Sequence, residues 1–212
     1  IISSGSYLPE KILTNKELEG IVDTTDEWIT ERTGIKERRV SSDDETSVDM
    51  AYQASIDAID KSGIKKEEIG AIFLATCTPE RKFPSTAVLL QNRLNVKNAF
   101  SVDLNAACTG FVYALDIAKK YIESEQVKYA LVVGTEKITS LLDWTDRNTC
   151  VLFGDGAGAM IIGSSDTAGI LSSNIGSDGS YKDLLTVKTD LEYIEMKGSD
   201  FFKTAVKTLV KY

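Results

Sequence analysis

Apolar and polar positions alternate along the chain in two periods. From Ser47 to Ser62 the residues Val48, Ala51, Tyr52, Ser55 and Ile59 recur at helical spacing, and Gly63 supplies a stop. Phe111, Ala114, Leu115, Ala118, Tyr121 and Ile122 predict a second helix from Cys108 to Ser124. Pro84 and Ser85 open a third, from Ser85 to Leu94. Thr24-Thr25-Asp26-Glu27 has the form of a capping box for a short helix that Gly34 closes, with Trp28 and Arg32 on one face.

Between these helices Ile69 to Thr76 predicts a buried strand, AFSVDL from about Ala99 to Leu104 a second strand, and the continuous apolar run from Tyr129 to Gly134 a strand covered on both faces. A short strand ends at a turn near Pro9. Cys150 to Phe153 and Ala159 to Ile162 read as two further strands, joined by a tight turn at Gly154-Asp155-Gly156-Ala157-Gly158. These glycines lack the GxGxxG spacing and following helix of a dinucleotide loop. Strands alternating with helices predict an α/β layered fold with crossover helices.

After Gly163 the chain turns to Ser, Asp, Gly and Thr, which predicts a boundary between residues 1–163 and 164–212. A strand followed by a turn is expected from Gly169 to Ser180. A last helix is expected from about Asp200, with Phe201, Phe202, Ala205, Val206, Leu209 and Val210 on its apolar face. No stop signal closes that helix and no Met opens the sequence, so these residues are expected to belong to a longer chain.

Composition narrows the function classes. With 24 Lys and Arg against 32 Asp and Glu, the net charge of −8 disfavours a nucleic-acid partner. No apolar run approaches the ~20 residues of a membrane helix, so neither a membrane nor a signal peptide is expected, and a cytoplasmic location is. Cys77, Cys108 and Cys150 form no CxxC pair, which argues against a disulfide framework and a structural metal site.

Cys108 stands out by position, between a strand and a helix start in Asp103-Leu104-Asn105-Ala106-Ala107-Cys108-Thr109-Gly110. Unpaired N–H groups and the positive end of the helix dipole favour a thiolate there, and the thiolate is the nucleophile. Ala106, Ala107 and Gly110 leave room for a carbonyl, and a neighbouring backbone N–H could meet a developing oxyanion. Position alone leaves open a plain buried cysteine packed on the sheet.

Five segments in order carry a family resemblance: DTTDEWITERTGIKERR (Asp23 to Arg39), FPSTA (Phe83 to Ala87), DLNAACTGFVYAL (Asp103 to Leu115), TDRNTCVLFGDGAGA (Thr145 to Ala159) and GSDG (Gly176 to Gly179). Together they resemble β-ketoacyl-acyl carrier protein synthase III. The resemblance implies a thiolase-like αβαβα fold of two similar halves, the second incomplete in these 212 residues, and a homodimer. It implies the first step of fatty acid biosynthesis, condensation of an acyl-CoA with malonyl-acyl carrier protein, without a cofactor.

In that reading Cys108 takes the acyl group as a thioester. Trp28 and Arg147 sandwich the adenine of CoA, Arg32 meets its charged part, and Thr24 lies on the same lip. Phe83 crosses the dimer interface to line the partner's acyl pocket. Cys77 stands where the family usually has Thr or Ser, and it and Cys150 are expected to be inert packing residues. The family's second step uses a His and an Asn of the second half. The sequence contains no His, so neither is assigned.

Between Leu185 and Ile194 the chain is shorter than the family pattern, which predicts a missing loop near Thr189. Two alternatives stay open: a relative of the same superfamily with another acceptor, and a non-catalytic half-protein that serves as an interaction module.

Overall fold

The structure, a computed structural model, describes residues 1–167, 169–187 and 193–211. The missing loop expected near Thr189 lies outside them. Two compact units divide the chain: residues 1–10, 41–137 and 155–175 form the first, and residues 11–40, 138–154 and 176–212 the second.

The first unit is a five-stranded mixed sheet between helices. Its strands are β1 (Ser3–Tyr7), β4 (Ile69–Ala75), β5 (Phe100–Leu104), β6 (Tyr129–Lys137) and β7 (Asp155–Gly163), in the order β1-β7-β6-β4-β5. β4 runs parallel to β5 and β6, whereas β7 runs antiparallel to both β6 and β1. The even burial of the central strands has a direct cause. Ile72, Leu74, Leu131 and Val133 point to the face covered by α3 (Ser47–Ser62) and α4 (Thr86–Leu94). Ala71, Phe73, Ala130 and Val132, one residue out of phase, point to α5 (Gly110–Glu123) on the other face.

The chain leaves β4 through α4 to β5, then returns through α5 to β6 on the far side of β4. Right-handed crossovers in opposite directions put the two helices on opposite faces. Adjacent strands β4 and β5 therefore send their chains to opposite faces at their carboxyl ends, and such a switch point opens a crevice there.

α3 has the predicted bounds. Thr46 and Asp49 form a reciprocal capping box, and Gly63 ends the helix at φ +71°. It packs so closely on β1 that a Cβ at Gly5 would lie 2.3 Å from the Ala54 carbonyl oxygen and 2.4 Å from the Ala58 nitrogen.

Three sequence expectations are corrected. Gly154 to Gly158 is not a turn between strands: Asp155 to Gly158 begin β7, paired with β1 and β6, and of Cys150 to Phe153 the first three residues are turn and none is strand. The Asp155 carboxylate fixes the strand start by accepting from the Ser41 N–H at 2.8 Å and the Ser41 hydroxyl at 2.7 Å. The described residues from Gly169 to Asp178 form no strand.

The second unit holds α1 (Asn15–Leu18), α2 (Asp26–Thr33), the antiparallel pair β2 (Lys11–Thr14) and β3 (Glu37–Val40), the short pair β8 (Leu185–Thr186) and β9 (Glu195–Met196), and α6 (Gly198–Lys211). Leu13, Leu18, Ile29, Cys150 and Val151 make its core. Arg38 is buried in this unit. Its guanidinium donates to the Leu13 carbonyl at 3.0 Å, the Asn15 side chain at 2.8 Å and the Val151 carbonyl at 3.1 Å. Burial lowers its pKa. Replacing it with Leu strands three buried acceptors, so Arg38→Leu is expected to cost roughly 3 kcal/mol, read as a lower urea midpoint; an unchanged midpoint contradicts this role.

Candidate active site

Cys108 lies in the crevice at the carboxyl end of β5. The chain leaves Leu104 and makes a 3-10 turn over Ala107–Thr109 before α5 begins at Gly110. The helix thus starts two residues later than periodicity predicts, and Cys108 precedes it. The Thr109 N–H donates to the Ala106 carbonyl at 3.2 Å and the Gly110 N–H to the Ala107 carbonyl, so both N–H groups that follow Cys108 are occupied. Ala107 has φ +45°, a left-handed conformation that costs a non-glycine residue of order 1 kcal/mol. The turn holds Cys108 exposed, not packed on the sheet.

Gly110 brings the helix start against the end of β4, where a Cβ would meet the Ala75 Cβ at 3.0 Å. Two carboxylates fix the surrounding loops. Glu136 accepts from the Cys77 N–H at 2.9 Å, the Thr78 hydroxyl at 2.6 Å, and the Cys77 thiol and Thr76 hydroxyl at 3.4 Å each. Asp103 accepts from the Thr86 and Ala87 N–H groups at 2.8 and 2.7 Å, anchoring the start of α4. Sequence reading missed both, although an acid at the end of an otherwise apolar strand is the signal that marks each. Phe83 lies on the loop between these anchors, before Pro84 in a cis bond, and is 84% exposed.

Neither of the other cysteines faces solvent as Cys108 does. Cys77 is half-buried, and burial together with Glu136 pushes its thiol up to about 12. Cys150 is fully buried, and burial raises its pKa.

In the second unit, α2 presents Trp28 half-buried on the core cluster. The cap is Thr25, whose hydroxyl accepts from the Trp28 N–H at 3.1 Å, not Thr24 as the box pattern predicts; Trp28 takes the place where a box needs an acid. The Arg32 guanidinium carbon lies 4.5 Å from the Trp28 ring centroid and that of Arg147 lies 5.1 Å from it. Arg147 also donates to the Asp23 carbonyl at 3.0 Å. Its turn is tied by Asp143, which accepts from the Thr145 N–H at 2.8 Å, and by Asp146, which accepts from the Asn148 N–H at 3.0 Å. The Thr24 hydroxyl is buried with no hydrogen-bond partner among the described residues. The structure therefore brings Trp28, Arg32 and Arg147 together. A separate cavity of about 600 Å³, lined by residues including Asp143, Asp146, Tyr193 and Lys197, contains none of the expected site residues.

Residues 102–179 match the family model described as 3-oxoacyl-[acyl-carrier-protein (ACP)] synthase III. The chain is 51% identical over 220 residues to the β-ketoacyl-[acyl-carrier-protein] synthase III of Xanthomonas euvesicatoria pv. vesicatoria, across 99% of this chain and 68% of the relative. It is similar to the crystal structure of 3-oxoacyl-[acyl-carrier-protein] synthase III from Aquifex aeolicus VF5, with a TM-score of 0.93 and 49% identity over 96% of this chain and 66% of that one. The corresponding enzyme of Thermus thermophilus gives a TM-score of 0.93 and 39% identity, over 98% of this chain and 68% of that one. The chain thus spans about two thirds of the length of these relatives and shares their thiolase-like α/β fold. By sequence and by fold it belongs to the β-ketoacyl-[acyl-carrier-protein] synthase III family, acyltransferases that initiate fatty acid biosynthesis.

Proposed function

We propose that the chain carries the acyl-accepting part of this reaction, with Cys108 as the nucleophile. The observation that carries the reading is an exposed thiol, held by a strained turn before a 14-residue helix, in the crevice at the carboxyl end of a parallel strand. Cys108 attacks the carbonyl of an acyl-CoA, the thioester bond to CoA breaks, and CoA leaves as its thiol. Since Thr109 and Gly110 have their N–H groups occupied, we assign oxyanion binding to the N–H of Cys108 itself. The acyl group then passes to the carbanion formed when malonyl-acyl carrier protein loses CO₂. That step in the family uses a His and an Asn, and these 212 residues contain no His.

Trp28, Arg32 and Arg147 are proposed to hold CoA. An aromatic face with two guanidinium groups suits a stacked adenine with its phosphates, and Thr24 offers an unpaired hydroxyl on the same unit. Trp28→Ala is expected to raise KM for acetyl-CoA about tenfold with kcat nearly unchanged, because stacking is worth roughly 1–2 kcal/mol. An unchanged KM in steady-state assays would remove Trp28 from the site.

Phe83, so exposed on its loop, is proposed to meet a second copy in a homodimer. Residues 1–163 are proposed as the first thiolase-like half and 164–212 as the opening of the second. Among the described residues no helix is long and apolar enough to cross a membrane, and we propose that the enzyme works in the cytoplasm. The test of the whole reading is turnover by the full-length protein: acetyl-CoA and malonyl-acyl carrier protein should yield CO₂ and acetoacetyl-acyl carrier protein. Failure to release CO₂ from malonyl-acyl carrier protein would favour another acceptor.

A further inference from the structure

We propose that Cys77 is a resolving thiol for Cys108: when a peroxide oxidises the nucleophile, Cys77 closes a reversible disulfide with it inside the first unit. The inference rests on the reading of Cys108 as a nucleophilic thiol.

β4 and β5 are hydrogen-bonded parallel neighbours, with Ala75 opposite Leu104, and the Thr76 N–H extends the ladder by donating to the Leu104 carbonyl at 3.2 Å. Cys77 comes two residues after the end of β4 and Cys108 four after the end of β5. Both cysteines thus sit on loops that leave the carboxyl ends of one hydrogen-bonded strand pair, whose strands lie about 4.8 Å apart. The Cys108 turn does not move away from β4, because the start of α5 at Gly110 rests on the Ala75 side chain.

Glu136 completes the set. Its carboxylate accepts from the Cys77 thiol at 3.4 Å and is the group placed to take that proton. The same carboxylate accepts from the hydroxyls of Thr76 and Thr78. A hydroxyl at position 77 could therefore serve the same hydrogen bond, and the loop's geometry does not call for sulfur there. At rest the high pKa keeps Cys77 a neutral thiol, so it does not compete with Cys108 for acyl groups.

The chemistry balances in two steps. The Cys108 thiolate attacks hydrogen peroxide, an S–O bond forms, the O–O bond breaks, and the departing hydroxide takes a proton to leave as water. The product is a Cys108 sulfenic acid. The Cys77 sulfur then attacks the Cys108 sulfur, its proton passes through Glu136 to the departing hydroxide as the S–O bond breaks, and a second water leaves. Two thiols are oxidised to one disulfide and one peroxide is reduced to two waters. Without Cys77 the sulfenic acid stays open to a second peroxide and goes on to sulfinic acid, which dithiothreitol does not reverse.

The experiment treats the full-length protein with a small excess of hydrogen peroxide, follows peptide mass, and measures acetylation of Cys108 by acetyl-CoA before oxidation and after dithiothreitol. The wild type should lose the mass of two hydrogens, give a linked Cys77–Cys108 peptide, and regain acetylation on reduction. Cys77→Ser, with Cys77→Thr as a second variant in case the first folds poorly, should be acetylated normally before oxidation but recover about tenfold less afterwards, with sulfinic acid on Cys108. Glu136→Gln should form the disulfide more slowly. If the wild type is acetylated yet yields no linked peptide and recovers no better than Cys77→Ser, the inference is wrong and the catalytic reading stands. A linked peptide in a wild type that acetyl-CoA never acylates would instead keep the inference and remove the catalytic reading.

Discussion

Replacing Cys108 with Ala should reduce acyl transfer by roughly 10⁴-fold or more, because a covalent nucleophile has no substitute in the crevice. Its neighbours do not compensate: Cys77 is held as a thiol with a pKa of about 12, and Cys150 is buried in the core of the other unit. The substitution should leave stability nearly unchanged, since Cys108 is exposed and belongs to no core cluster. Steady-state turnover and the thermal midpoint measured on one preparation separate the two effects. A Cys108→Ala protein that keeps even a hundredth of the wild-type rate would contradict a covalent acyl intermediate at this position.

The largest effect on stability is expected at a residue with no chemistry. Gly5→Ala would place a methyl 2.3 Å from the Ala54 carbonyl oxygen and 2.4 Å from the Ala58 nitrogen. Both are backbone atoms of α3, so no side chain can turn aside. Either β1 leaves the edge of β7 or α3 lifts from the sheet, and both uncover the cluster around Ala54, Ala58 and Ile161. The Ser3 hydroxyl bond to the Ala58 carbonyl at 2.6 Å and the Ser6 N–H bond to Asp57 at 3.1 Å go with the same movement. Overpacking of this kind costs about 3 kcal/mol or more. Chemical denaturation of Gly5→Ala should show it directly, and a loss below about 1 kcal/mol would contradict this close packing of β1 on α3.

What could be read in the sequence follows the physics of each segment. α3 was legible to the residue because local signals agree: a capping Thr46–Asp49 pair, a 3.6-residue apolar period and a closing Gly63. β4 and β6 were legible as apolar runs because strands covered on both faces leave no polar alternation to obscure them. The start of α5 was not, since the positive φ of Ala107 opposes the residue's own preference and has no local signal in the sequence. Gly154 to Gly158 misled for the opposite reason: glycine composition signals a turn, whereas pairing with β1 and β6 makes most of the segment a strand.

The candidate site divides the same way. Cys108 stands out by its place between strand and helix, but its role, like those of Trp28, Arg32 and Arg147, comes only from the resemblance, and Arg147 is far from Trp28 and Arg32 along the chain. The cation–π cluster they form could not be derived from spacing. Glu136 and Asp103 act by holding backbone N–H groups of distant loops, a role that leaves no local pattern beyond an acid closing an apolar run.

The most direct measurement is peptide mass mapping of the full-length protein after incubation with acetyl-CoA alone. The account predicts one acetyl group, on Cys108, labile to hydroxylamine and absent from Cys77 and Cys150; an unmodified Cys108, or acetylation of another cysteine in its place, would contradict it.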